Sequence, residues 1–178
     1  MGLFINMKYA NIKFNDIANG PGIRTSLFVS GCTHHCKGCF NEIAWDFNYG
    51  KDFTEETIEI ILKSCEPNYI SGLTLLGGEP MEIVNQKGLL KLVKEFKKKF
   101  PEKNIWCYTG YRYEEIIDTN NPVHCEITNE FLKHIDILVD GKFILEQKDI
   151  TLKFRGSKNQ RIIDVQKIST ENEIVLWN

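Results

Sequence analysis

The sequence predicts an α/β chain built on a mainly parallel, curved sheet, a partial (incomplete) β/α barrel. Three observations carry this expectation. Apolar, β-branched runs alternate with stretches of helical apolar spacing along most of the chain, and strand–helix–strand repetition implies parallel pairing through right-handed crossovers. The four or five strands found this way are too few for an eight-stranded barrel, which takes about 250 residues. No linker, internal repeat or low-complexity tract divides the 178 residues, so residues 1–178 are expected to form a single domain.

The first expected strand covers residues 23–30, Ile-Arg-Thr-Ser-Leu-Phe-Val-Ser, and ends directly at a cysteine-rich loop. Thr54 then suits a helix N-cap, with Glu55 and Glu56 in the first turn, where the helix dipole favours negative charge. Ile58, Ile61, Leu62 and Cys65 follow at helical spacing. Residues 73–76 are a short apolar strand stopped by Gly77 and Gly78. Leu89, Val93, Phe96 and Phe100 form the stripe of a helix ended by Pro101, and Lys94, Lys97, Lys98 and Lys99 read as its solvated face. Another strand is expected over 104–108, a helical turn over 114–117 and a helix over 127–135. A strand over 137–139 leads into Asp140-Gly141-Lys142, and 161–165 is the last strand. Chemistry in barrel-like parallel sheets gathers at the C-terminal strand ends. The cysteine loop, Gly77-Gly78, Thr109-Gly110 and Asp140-Gly141 each follow a strand, which puts them on one rim facing one pocket.

Composition narrows the function. Lys and Arg total 22 against 24 Asp and Glu, a formal charge of −2, so no basic face suggests nucleic acid. The first residues lack a secretory signal pattern, and no apolar run approaches the roughly 20 residues that span a bilayer. Six cysteines, three of them clustered, read as metal ligands in a reducing cytoplasm rather than a disulfide framework.

Those three are Cys32, Cys36 and Cys39, spaced CxxxCxxC. A cubane iron–sulfur cluster with a full protein shell takes four cysteine thiolates. Three with no close fourth leave one iron an open position, which suits binding and activating a small molecule. The rival is a Cys₃His zinc knot using His34 or His35. Structural zinc usually pairs two hooks, and Cys65, Cys107 and Cys125 form no second one. The spacing therefore favours the cluster, with His34 and His35 as exposed polar residues of the loop. The second motif is Gly77-Gly78-Glu79-Pro80. Paired glycines after a strand are common punctuation, but they also let backbone approach a ligand where a Cβ would block it. Glu79 could then orient that ligand while Pro80 stiffens the turn.

In this order and spacing, the two motifs resemble those of the radical S-adenosylmethionine (SAM) enzymes. Asn19-Gly20-Pro21-Gly22-Ile23-Arg24-Thr25, Trp45-Asp46-Phe47 and residues 106–111, 138–143 and 154–164 narrow the resemblance to glycyl-radical-enzyme activases. Within them the chain is similar to those acting on the anaerobic (class III) ribonucleoside-triphosphate reductase, over residues 12–165. One departure from the wider superfamily is Gly38 before the third cysteine, where an aromatic residue is common; the aromatic here is Phe40.

The resemblance implies a partial barrel of radical SAM type and a [4Fe–4S] cluster on Cys32, Cys36 and Cys39, its open iron chelated by SAM. It implies Phe40, with backbone of Gly38 and Cys39, against the adenine. Gly77, Gly78 and Glu79 would receive the methionine amino group. Arg155 and Arg161 would grip the SAM carboxylate or a partner loop, although residues 155–161 equally suit a polar turn. Thr109 and Asp140 would surround a monovalent cation, although Asp-Gly is more ordinarily a strand-ending turn. One electron from a flavodoxin-like donor would cleave SAM to methionine and a 5′-deoxyadenosyl radical. That radical would take hydrogen from a glycine Cα of the reductase, with no side-chain general acid or base. A homodimer, or a heterotetramer with the reductase, is the implied assembly. The rival functions are a deazapurine synthase-like radical SAM enzyme acting on a small molecule, and a non-catalytic iron–sulfur or zinc module, which would have no use for residues 77–80.

Overall fold

Alternation of side chains across the central strands sets the two faces of the sheet. The computed structural model describes residues 6–178. In chain order the elements are strands β1 (Lys8–Asp16), β2 (Ile23–Val29) and β3 (Lys51–Asp52), helix α1 (Glu55–Ser64), β4 (Ile70–Gly77), α2 (Ile83–Lys99), β5 (Asn104–Tyr108), α3 (Tyr113–Ile117), α4 (Thr128–Lys133), β6 (Ile137–Asp140) and β7 (Arg161–Asp164). They form a mixed α/β structure around one open seven-stranded sheet, ordered β3-β1-β2-β4-β5-β6-β7.

Leu27, Leu73, Leu75, Ile105, Cys107 and Leu138 point to one face and enter the main core. Ile58 and Ile61 of α1, Leu89, Leu92, Val93 and Phe96 of α2, and Phe131 of α4 pack into the same core. Trp106, Ile137 and Val139 point the other way and form a second cluster with Tyr108, Phe154, Ile162 and Trp177. The buried apolar side chains of the α-helices are thus spent on one face, which leaves the other to loops and to the site. On that second face Arg24 is fully buried beneath Trp106, donating to Thr74 Oγ1 at 2.7 Å and to the Leu73 carbonyl at 2.9 Å. Burial lowers its pKa to about 10.

The expected parallel core is present as β2-β4-β5-β6. The remaining three pairings, β1 with β2, β1 with β3 and β6 with β7, are antiparallel. "Mainly parallel" is therefore corrected to partly parallel, and four or five strands to seven. β7 is antiparallel to β6: only a short 3-10 turn (Leu145–Gln147) and no α-helix lies between them, and a parallel return usually takes a helical crossover. Thr54 caps α1 as expected, exchanging hydrogen bonds with Thr57. The lysines at the end of α2 are not simply solvated: Lys94 meets Glu130, Lys99 meets Glu66, and Lys97 joins Asp136 at 2.9 Å.

Candidate functional site

The cysteine loop is suspended between strand ends by its own backbone. Gly31 turns with φ of +94°, a conformation glycine adopts freely, and a Cβ there would strike the Phe47 ring. Gly31 N donates to the Ala44 carbonyl (2.8 Å) and Cys32 N to the Trp45 carbonyl (3.1 Å), so the 3-10 turn Glu42–Trp45 clasps the loop from below. From the side, Gly78 N donates to the Val29 carbonyl and Glu79 N to the Gly31 carbonyl, both at 2.8 Å. The later half of the loop closes on itself, with Cys39 N donating to the Cys36 carbonyl at 3.1 Å and Asn41 N to Cys39 Sγ at 3.4 Å.

Cys32, Cys36 and Cys39 line a cavity of about 520 Å³ together with Gly38 and Phe40 of the same loop. Gly77, Gly78 and Glu79 reach it from the end of β4, Thr109 from the end of β5, and Arg155 from the loop before β7. That volume lies within the range of small-molecule and cofactor pockets. Phe40 is 90% exposed at the mouth, and Ile150, 89% exposed, stands there too. All six cysteines are free thiols. Burial pushes the Cys32 thiol up to about 12 and raises that of Cys36.

Two expected site residues lie elsewhere. Asp140 is buried behind the cavity wall, where Arg161 donates to it from Nε at 2.9 Å and Tyr113 N donates at 2.8 Å. Arg161 also forks onto Glu114, at 3.0 and 2.8 Å. Asp140 thus does not line the cavity, although Thr109 N donates to the carbonyl of its neighbour Val139 at 2.9 Å, and its carboxylate is engaged by Arg161 and the Tyr113 amide. Arg161 is likewise committed to the wall, whereas Arg155 uses Nη1 on the Gln160 and Lys158 carbonyls and stays at the cavity. Thr109 accepts from Tyr111 N at 3.1 Å.

The glycines also need their freedom for the packing of the chain on itself. A Cβ on Gly77, whose φ is +108°, would sit 2.7 Å from Phe28 Cα, and one on Gly78 would sit 2.6 Å from the Gly31 carbonyl oxygen. Glu79 is 1% exposed, and its carboxylate accepts from Met81 N (2.8 Å) and Gly110 N (2.7 Å) and pairs with His34 Nε2 (2.8 Å). His34 is consequently not an exposed loop residue; its side chain is 5% exposed and its ring meets Tyr111 edge-on at 4.3 Å. His35 is exposed as expected and stacks on Trp45. Sequence reasoning also passed over Tyr108 as a site residue. It lines the cavity, and its hydroxyl is buried with no hydrogen-bond partner among the described residues. Its strand-end position beside Thr109 was the available signal.

Among the described residues no three His, Cys, Asp or Glu side chains converge as a single metal ion would need. A four-iron cluster spreads its thiolates over separate irons, and with both imidazoles engaged elsewhere the donor set fits a cluster better than a zinc knot.

A family described as a 4Fe-4S single cluster domain matches residues 18–163. The anaerobic ribonucleoside-triphosphate reductase-activating protein of Vibrio cholerae is 44% identical over 149 residues, covering 83% of this chain and 91% of the relative. Proteins of the same description from Enterobacteria phage T4 (40% identical) and Haemophilus influenzae (41% identical) each cover 88% of the chain, and 93% and 97% of their own length. The chain belongs to the anaerobic ribonucleoside-triphosphate reductase-activating proteins. The matched 4Fe-4S domain of this activating-type chain spans the cysteine loop. No helix among the described residues is long and apolar enough to cross a membrane.

Proposed function

We propose that this protein activates the anaerobic ribonucleoside-triphosphate reductase, with Cys32, Cys36 and Cys39 holding a [4Fe–4S] cluster and SAM seated beside it. One observation supports this above the rest: the three free thiols and the Gly77-Gly78 turn line one cavity at the C-terminal ends of parallel strands. When bound, the cluster supplies the electron that cleaves SAM, so that hydrogen is taken from a glycine Cα of the reductase. The chain's own part is to bind, orient and exclude water. Main-chain groups of Gly77 and Gly78 are positioned to meet the methionine end of SAM. Phe40 offers its ring to the adenine, and Arg155 has a guanidinium edge left for a carboxylate. We read the sheet as a radical SAM partial barrel and residues 1–178 as a single domain. An acidic, flavodoxin-like electron donor suits the exposed Lys37 and Lys142 beside Cys36.

The test is electron paramagnetic resonance under anoxia. Reduced protein, SAM and the reductase together should give a glycyl-radical doublet that is missing when any one is left out. SAM cleavage without a radical on the reductase would overturn the reading.

A further inference from the structure

We propose that Glu79 is a positioning residue that fixes the cysteine loop through His34, and that its side chain does not contact the bound cofactor. The inference rests on the reading that Cys32, Cys36 and Cys39 hold the cluster. Its basis is how fully the Glu79 carboxylate is used. One oxygen accepts from Met81 N at 2.8 Å; the other accepts from Gly110 N at 2.7 Å and pairs with His34 Nε2 at 2.8 Å. Both side chains are shielded, at 5% and 1% exposure. With three of about four acceptor positions already filled by the protein, the carboxylate has little capacity left for a ligand.

His34 lies between Cys32 and Cys36, so this pair ties the loop to the ends of two strands at once, through the turn after β4 and Gly110 after β5. The rest of the local geometry is cut to fit it. Tyr111 supports the ring edge-on at 4.3 Å. A Cβ on Gly110 would lie 2.5 Å from His34 Cδ2, so a larger residue would push the ring off the carboxylate. Thr33 adds a neighbouring tie, donating to Glu82 Oε1 from its N (2.8 Å) and its hydroxyl (2.6 Å). Residues 31–34 are thus fixed to the 77–82 turn, while the half with Cys36 and Cys39 is tied instead to itself and to the segment after β6, where the Phe143 backbone bonds Cys36. Partners that orient metal ligands typically change affinity or activity by about 10–100-fold when removed.

The experiment is a double-mutant cycle on the full chain, reconstituted anaerobically, with His34→Ala, Glu79→Gln and the double variant. Three quantities are read: the rate of iron release to a chelator, the dissociation constant for SAM, and the resonance signature of the reduced cluster before and after SAM. If Glu79 acts through His34, both single variants release iron about 10–100-fold faster. Both also alter the SAM-dependent signature alike, and the double variant is no worse than either single one. If Glu79 instead touches SAM, Glu79→Gln weakens SAM binding while His34→Ala matches wild type, and the proposal is overturned. Should Glu79→Gln fail to fold, Gly110→Ala displaces the same ring and must reproduce the His34→Ala behaviour; wild-type behaviour there counts against the proposal. Cys32→Ala is measured in parallel. A full cluster in that variant would overturn the underlying ligand assignment by a result separate from the cycle.

Discussion

A methyl group on Gly78 would meet the Gly31 carbonyl oxygen at 2.6 Å and that of Ala44 at 2.9 Å. Both carbonyls hold the cysteine loop, so Gly78→Val is expected to lower iron content as well as SAM affinity. Iron analysis after reconstitution checks this, and full iron with lost SAM binding would show that the glycine serves the ligand alone. The cysteines give a simpler expectation: Cys32→Ala, Cys36→Ala and Cys39→Ala each lose the cluster absorbance. Cys65→Ala keeps it, since that thiol is buried beside Ser64 in the core under α1. The cysteine cluster and the glycine turn, which line one cavity, were legible as motifs because their spacing is local. What the glycines leave room for was not, because the atoms they face belong to residues more than thirty positions away. The His34–Glu79 pair was hidden for the same reason.

β1 shows what a single element can conceal. Its sequence, Lys-Tyr-Ala-Asn-Ile-Lys-Phe-Asn-Asp, mixes polar residues through a half-exposed strand, and its pairing with β2 shifts register twice. Neither a continuous apolar run nor clean alternation marks it, and the two-residue β3 offers no pattern at all. The buried end of β1 nevertheless carries a measurable charge effect. Asp16 accepts from Ser26 Oγ and Asn19 Nδ2 at 2.6 Å each, from Ala18 N at 3.1 Å, and pairs with Lys13 at 2.9 Å. Burial alone would raise its pKa; these donors outweigh that and bring it from 3.8 to about 2. A carboxylate depressed in the folded state stabilises fully above its unfolded value, and that stability is lost as pH falls through the folded one. Denaturant titrations should therefore show the wild type losing about 2 kcal/mol between pH 5 and pH 2 that Asp16→Asn does not lose. Equal losses in the two proteins would remove Asp16 as the cause.

Across the whole molecule, the parallel core was readable from alternating strand and helix patterns, whereas the antiparallel flanks were not weighed. The absence of a helical pattern between residues 143 and 160 was the usable clue for β7. The second face is closed by the chain's last residues, with Trp177 N donating to the Ile162 carbonyl at 2.9 Å and its ring 5.1 Å from Trp106. Trp177→Ala should cost about 2 kcal/mol, less than a fully buried tryptophan, and shift the denaturation midpoint accordingly. An unchanged midpoint would mean that this face needs no cover. The edges of the sheet bear on how a protein substrate can be held. On one side the two-residue edge strand β3 covers only Lys8 and Tyr9, and the rest of β1 is irregular in register and carries Lys13; on the other, β7 has Leu176 bridged to Ile163 along its outer side. Such edges resist the strand addition by which many proteins capture an extended peptide. Under the proposed function, recognition of the reductase would then fall to side chains at the cavity mouth, where Phe40 and Ile150 stand exposed. Partner choice would be written in a few exchangeable surface residues, free to diverge between organisms while the sheet and the cysteine loop stay the same.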